Sequence, residues 1–134
     1  MDFPEDLKYT KEHEWARLEE DDVVTVGITD YAQESLGEIV FVELIDEGAQ
    51  VSQGEAFGTV ESTKAVSDLY APVSGTVIEV NDTLLDSPSL INEDPYEDGW
   101  MIRIEMQNPK ELEKCLNVSE YKSFIEKQEA ETEE

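Results

Sequence analysis

Apolar residues recur along most of this chain with the period of two that a pleated strand imposes, and with a helical period only near its end. The first alternating run is "HEWARLEEDDVVTVGIT". Residues 13–18 and 23–28 predict the two strands of a hairpin, and the acidic residues 19–22 predict its turn. Val24, Val26 and Ile28 share one face of the second strand. Residues 1–12 are polar, contain Pro4, and predict an irregular lead-in. Thr29 or Asp30 offers an N-cap to "YAQESL", a short helix near residues 30–36 that Gly37 ends. From residue 37 to 105, short apolar runs are punctuated by Gly, Pro, Asn and Asp without helical periodicity, which predicts an all-β region. Beyond Asn108-Pro109, over residues 109–128, "KELEKCLNV" and "SEYKSFIEKQEA" predict helices. Ser119 is a candidate N-cap for the second, with Tyr121, Phe124 and Ile125 as its buried stripe. Residues 129–134 predict an acidic, disordered tail.

The β region repeats itself. "GEIVFV" from Gly37 aligns with "GTVIEV" from Gly75, 38 residues on, and puts Val40 and Val42 on the face of Ile78 and Val80. "FGTVE" from Phe57 resembles "MIRIE" from Met101, with six extra residues in the second copy. Half-units this small cannot bury an apolar face alone, so they must pack on each other. The expected fold is therefore mainly β, a two-sheet sandwich with a quasi-twofold repeat over residues 37–105. Within it "FGTV" and "AVSDLY" are neighbouring strands, and "ESTK" reverses the chain because Ser and Thr hydroxyls bond nearby backbone. Lys64 then stands at the apex of a hairpin. Pro72 cannot donate to a sheet ladder and marks a bend or an edge, and Gly75 opens the second half-unit.

Charge sharpens this picture. The 134 residues suit one domain and hold 34 Asp and Glu against 9 Lys and Arg, a net charge of −25. Such a chain is repelled by phosphate backbones and by anionic membranes, so neither nucleic acid nor membrane is an expected partner. Lys64 is the only basic residue between Arg17 and Arg103, a span with 20 acidic ones. No apolar run approaches the roughly 20 residues of a membrane span. "MDFPEDLKY" lacks signal-peptide or transit-peptide character, so a bacterial, cytoplasmic protein is expected, or a mitochondrial matrix protein only if a transit peptide has been removed. Cys115 is the single cysteine, which excludes an intrachain disulfide, and it reads as a small apolar helix residue. His13 and Glu14 could suggest an acid–base hydrolase, but no nucleophile, metal cluster or second histidine accompanies them, so a structural role is expected. "GITDYAQESLGE" has neither P-loop nor dinucleotide spacing, and no EF-hand pattern or other metal site is found.

Four segments in this order, "FPEDLKYTKEHEW", "VGITDYAQESLGEIVFVEL", "FGTVESTKAVSDLYAPVSGTVIEVN" and "LINEDPYEDGWMIRI", resemble the H protein family of the glycine cleavage system over roughly residues 3–128. Thr63, where many relatives have Val, and Ile45, where Pro is usual, depart from the pattern. The resemblance implies a barrel-sandwich hybrid and a single lipoyl-carrier domain over residues 1–128. It implies a non-catalytic carrier with lipoic acid in amide linkage to Lys64. An unmodified lysine has a pKa of about 10.4, so acylation removes a positive charge. Implied partners are a pyridoxal-phosphate glycine decarboxylase, a tetrahydrofolate-dependent aminomethyltransferase, an FAD- and NAD-dependent dihydrolipoamide dehydrogenase, and lipoylating enzymes. Glu61, Ser62, Thr63, Ala65 and Gly75 are candidates for reading by those lipoylating enzymes, or they shape the turn. Glu14 is a candidate for pairing with the amine-loaded arm in a surface cleft. A monomer suits a shuttling substrate. An octanoyl or lipoyl relay in protein lipoylation shares every one of these residues. A biotinyl carrier would flank its lysine with Met, where this chain has Thr63 and Ala65, and an unmodified interaction module would keep its bare sequence mass.

Overall fold

A computed structural model describes residues 2–132. The first hairpin forms as expected. Strands β2 (Glu14–Leu18) and β3 (Val23–Ile28) pair antiparallel, with Ala16 opposite Val26 and Trp15 opposite Gly27. Asp21 and Asp22 turn it with φ of 55° and 62°, a region that short polar side chains tolerate. The lead-in is not wholly irregular. Lys8–Tyr9 forms β1 on the edge of β2, and Tyr9 and Leu116 exchange two backbone hydrogen bonds of 2.8 Å. Thr29 caps α1 (Asp30–Leu36) by accepting from Ala32 N, and Gly37 ends the helix at φ 84°.

The rest of the β region is β4 (Ile39–Leu44), β5 (Gln50–Val51), β6 (Ala56–Ser62), β7 (Val66–Tyr70), β8 (Gly75–Val80) and β9 (Ile102–Met106). The strands make a six-stranded sheet, ordered β1-β2-β3-β9-β8-β5, and a three-stranded sheet, ordered β4-β6-β7. Neither sheet closes into a barrel, and they pack as a sandwich. Val26, Val77, Ile102 and Ile104 from one sheet and Ile39, Val42, Phe57, Val60 and Leu69 from the other make one continuous core.

The repeat survives with a correction. Val40 does not share the face of Val42; it is 49% exposed at a bulge in β4. Ile78, 38 residues on, is 41% exposed at a bulge in β8. The two half-units thus carry their irregularity at matching residues, and the buried partners are Ile39 and Val77. A bulge inserts one residue into the alternation and breaks the period of two.

Residues 37–105 are not all β. Thr83–Asp86 and Leu90–Glu93 form one-turn helices, α2 and α3, which bury Leu84 and Ile91 in the core. A single turn is too short to display a helical period and owes its stability to packing. The C-terminal region also departs from expectation. Only Lys110–Glu113 of the first predicted helix is helical (α4), and Cys115 lies in the turn beyond it. The last helix, α5, spans Val118–Thr132. Asn117, not Ser119, caps it. Asn117 Oδ1 accepts from Glu120 N, and Glu120 Oε1 accepts from Asn117 N, both at 2.9 Å, a reciprocal capping box. The tail expected from residue 129 is helical through Thr132, and residues 133 and 134 lie outside the described residues.

Helix α5 packs against the β1 edge of the six-stranded sheet. Tyr121 stacks on Tyr9 with centroids 4.6 Å apart, and Phe3, Trp15, Tyr96 and Ile125 complete a second, aromatic cluster. Tyr121 and Ile125 are buried and Phe124 is partly so, as the predicted stripe requires. Gly27 is needed where Trp15 crosses, since a Cβ there would lie 2.8 Å from the indole.

Candidate functional site

Strands β6 and β7 pair from Thr59 opposite Asp68 to Glu61 opposite Val66, and residues 63–65 connect them. Ser62 holds this turn. Its N–H donates to Ala65 O at 2.8 Å, and its Oγ accepts from Lys64 N at 3.2 Å and Ala65 N at 3.0 Å. Thr63 N donates to Glu38 O at 3.2 Å, which ties the tip to β4. Lys64 is therefore exposed on a turn whose backbone is anchored at both ends. Its aliphatic stem lies over Gly37, where an added Cβ would approach Lys64 Cε to 3.3 Å. Among the described residues, its Nζ makes no hydrogen bond or ion pair. Glu61, Thr63 and Ala65 surround it and are exposed.

Gly75 is not at the tip. It starts β8 beyond the far end of β7, opposite Val51 and Met106, and an added Cβ would overlap Glu105 O. The close approach of β9 is sufficient reason for a glycine there.

Glu14 is 1% exposed. It stands opposite Ile28, on the face of β2 that turns toward the three-stranded sheet. Thr10 Oγ1 donates to its Oε1 at 2.5 Å, and Tyr70 N donates to its Oε2 at 3.2 Å. Burial pushes its carboxyl up to about 7, against the pull of those two hydrogen bonds. The carboxyl lies at a mostly apolar cleft of about 250 Å³ whose walls include Tyr9, Gln53, Tyr70, Pro72, Cys115 and Leu116. Of these, the sequence reading singled out only Pro72 and Cys115, and neither as a wall, because the cleft joins β1, the end of β7 and the turn after α4. Burial pushes the Cys115 thiol up to about 11, which keeps it protonated and unreactive at neutral pH.

His13 is structural in geometry. It has φ 71°, its Nδ1 is 2.9 Å from Tyr121 Oη, and its ring lies 4.9 Å from that of Tyr31. Tyr121 Oη in turn meets Thr29 Oγ1 at 2.8 Å, so β2, α1 and α5 are joined at one point. Burial lowers the pKa of His13. No group of side chains among the described residues could hold a metal ion, and no helix among them is long and apolar enough to cross a membrane.

The chain is similar to known proteins over nearly its whole length. Its residues 7–128 match the family model described as "Glycine cleavage H-protein". A glycine cleavage system H protein of Anaeromyxobacter sp. (strain K) is 61% identical over 129 residues, 96% of this chain and 100% of that protein. One from Carboxydothermus hydrogenoformans is 52% identical over 93% of this chain and 95% of its own. The crystal structure of a glycine cleavage system H protein from Mycobacterium marinum superimposes with a TM-score of 0.82 at 44% identity, covering 89% of this chain and 95% of that one. With an anchored hairpin tip, a two-sheet sandwich and near full-length identity of this order, the chain belongs to the glycine cleavage H-protein family.

Proposed function

We propose that Lys64 is the residue on which this chain carries lipoate, as an amide on Nζ. The observation that carries the proposal is the position of Lys64. It is exposed at the apex of the β6–β7 hairpin, and the turn is held by Ser62 and Glu38. The family makes the chain the carrier component of the glycine cleavage system, not a catalyst by itself. A free amine at a rigid tip fits covalent acylation. When attached, lipoate supplies a disulfide that opens to accept a carbon unit and closes again on oxidation.

The chain's own residues supply presentation. The hairpin fixes the root of the arm, while the length beyond Nζ stays free to enter separate active sites at an effective concentration of roughly millimolar. Amide formation removes the only Lys or Arg charge between Arg17 and Arg103 in the sequence. Glu14 supplies a counter-charge for an amine entering the cleft, and the apolar walls around it exclude water. We assign three partners: a pyridoxal-phosphate glycine decarboxylase, a folate-dependent aminomethyltransferase and dihydrolipoamide dehydrogenase. We also assign a monomeric state and the cytoplasm of a bacterial cell, in keeping with the bacterial relatives.

Replacement tests the reading. Lys64→Arg keeps charge and exposure and cannot take the acyl group by the same chemistry. The expected result is an intact mass equal to that of the bare chain after incubation with a lipoylating enzyme, and glycine cleavage at background in the reconstituted system. Acylation of the variant, or turnover near that of the unsubstituted chain, would overturn the assignment.

A further inference from the structure

Phe41, Glu61 and Val66 stand side by side across the three-stranded sheet. Phe41 in β4 is opposite Glu61 in β6, and Glu61 is opposite Val66 in β7. Directly opposed residues of antiparallel strands project to the same face. Here that face is the outer one, since the next row, Val42, Val60 and Ser67, turns toward the core. Phe41 is 49% exposed and Val66 is 67% exposed, and Val40 adds its bulged side chain beside them. The following outward row carries Glu43, Thr59 and Asp68. A half-solvated antiparallel sheet ordinarily turns polar side chains outward. This sheet instead shows solvent an apolar row, split by one carboxylate, at the end nearest Lys64. Neither Phe41 nor Val66 belongs to either core cluster, so folding does not account for them.

We propose that this row is the docking surface for the enzyme that acylates Lys64, an acyl-transfer enzyme presenting an apolar hollow with a cationic rim. The inference rests on the reading that Lys64 is acylated. The choice among partners follows from reach. An enzyme that meets the finished arm acts at its far end and can sit well away from the hairpin. The acylating enzyme meets bare lysine and must bring its acyl donor to Nζ itself, so its surface must cover the strand ends beside the turn. Val66 is two residues from Lys64, and Phe41 lies two strands across, roughly 10 Å away at sheet spacing. The charge of the rim follows from Glu38, Glu43, Glu61 and Asp68. None of these is in an ion pair among the described residues, so all are open to cationic partners. Aromatic side chains such as Phe41 are enriched in the buried part of protein interfaces, with a polar rim around them, and Val66 extends the apolar area beside it.

The test uses the full chain as varied substrate for a purified lipoate-activating ligase with ATP and lipoate, read by intact mass. Phe41→Thr/Val66→Thr keeps strand preference while removing the apolar contact. The expected result is a fall in kcat/KM of about tenfold or more, carried mainly by KM, with an unchanged melting curve. Val66→Thr alone should fall by about threefold, and it serves if the double variant does not fold. Leu85→Thr, an exposed apolar residue of α2 beside Leu44 and Ile45 at the end of β4 far from Lys64, should leave acylation unchanged. Double and single variants acylated within twofold of the unsubstituted chain, or an equal loss in Leu85→Thr, overturn the docking row. Failure of the unsubstituted chain to take an acyl group at Lys64 overturns the reading beneath it, and the row with it.

Discussion

Glu14 shows what one buried ionisable residue does to the molecule. Desolvation disfavours its charged form, so its carboxyl titrates at about 7 instead of 4.5. Between those values the unfolded chain has released this proton and the folded chain has not. Folding stability therefore falls as pH rises through that window, by an amount on the order of 3 kcal/mol for this group. The contribution is whole below 4.5 and gone above 7. Glu14→Gln keeps the shape and removes the titration. Its melting temperature relative to the unsubstituted chain should rise from pH 5 to pH 8 by roughly 5–10 °C. A difference that stays level with pH would show that Glu14 is solvated in the folded state. Near neutral pH the group is poised, so a cation entering the cleft would draw it into the charged form.

At the scale of elements, the β6–β7 hairpin and the β8–β9 pair divide the work. The hairpin presents Lys64, and the pair holds the six-stranded sheet together where Gly75 lets the backbone of Glu105 approach. Gly75→Ala must push β8 from β9, at a cost of about 1–3 kcal/mol, seen as a lower urea midpoint. Acylation of Lys64 should fall only in proportion to the unfolded fraction. If acylation is lost while the variant is fully folded by circular dichroism, Gly75 is read by the lipoylating enzyme and is not merely a packing residue.

Over the whole molecule, charge is segregated. Lys8, Lys11, Lys110, Lys114, Lys122 and Lys127 lie in the N-terminal segment and the C-terminal helices. Between Arg17 and Arg103 only Lys64 is basic. Arg17 is engaged by Glu19 and Glu97, and Arg103 by Glu79. The sandwich around the tip is thus strongly anionic, and it should be drawn to basic rims around partner active sites. Association with the proposed decarboxylase partner is expected to slow by about tenfold or more between roughly 10 mM and 150 mM salt, as the screening length shortens. Stopped-flow association rates that do not change with salt would remove the steering role of the net charge.

Features with a local cause could be read directly from the chain. The first hairpin, the α1 cap at Thr29, the Gly37 stop and the turn that exposes Lys64 each depend on residues within a few positions of one another, and each appears close to where the order of residues places it, the turn at residues 63–65 instead of 61–64 because Glu61 and Ser62 extend β6. The 38-residue repeat was legible because each copy carries its own short run of similar residues. What tertiary structure decided was everything that needs distant segments to meet. The bulge at Val40 is a property of the pairing of β4 with β6. Single turns at α2 and α3 exist because Leu84 and Ile91 find the core. The strand at Lys8–Tyr9 is held by Leu116 from the other end of the chain. Most of all, the state of Glu14 was decided by Tyr70 and by the cleft walls from β1, β7 and the turn after α4. Its burial is a sum over contacts far apart in sequence, and alternation along one strand carries no record of them.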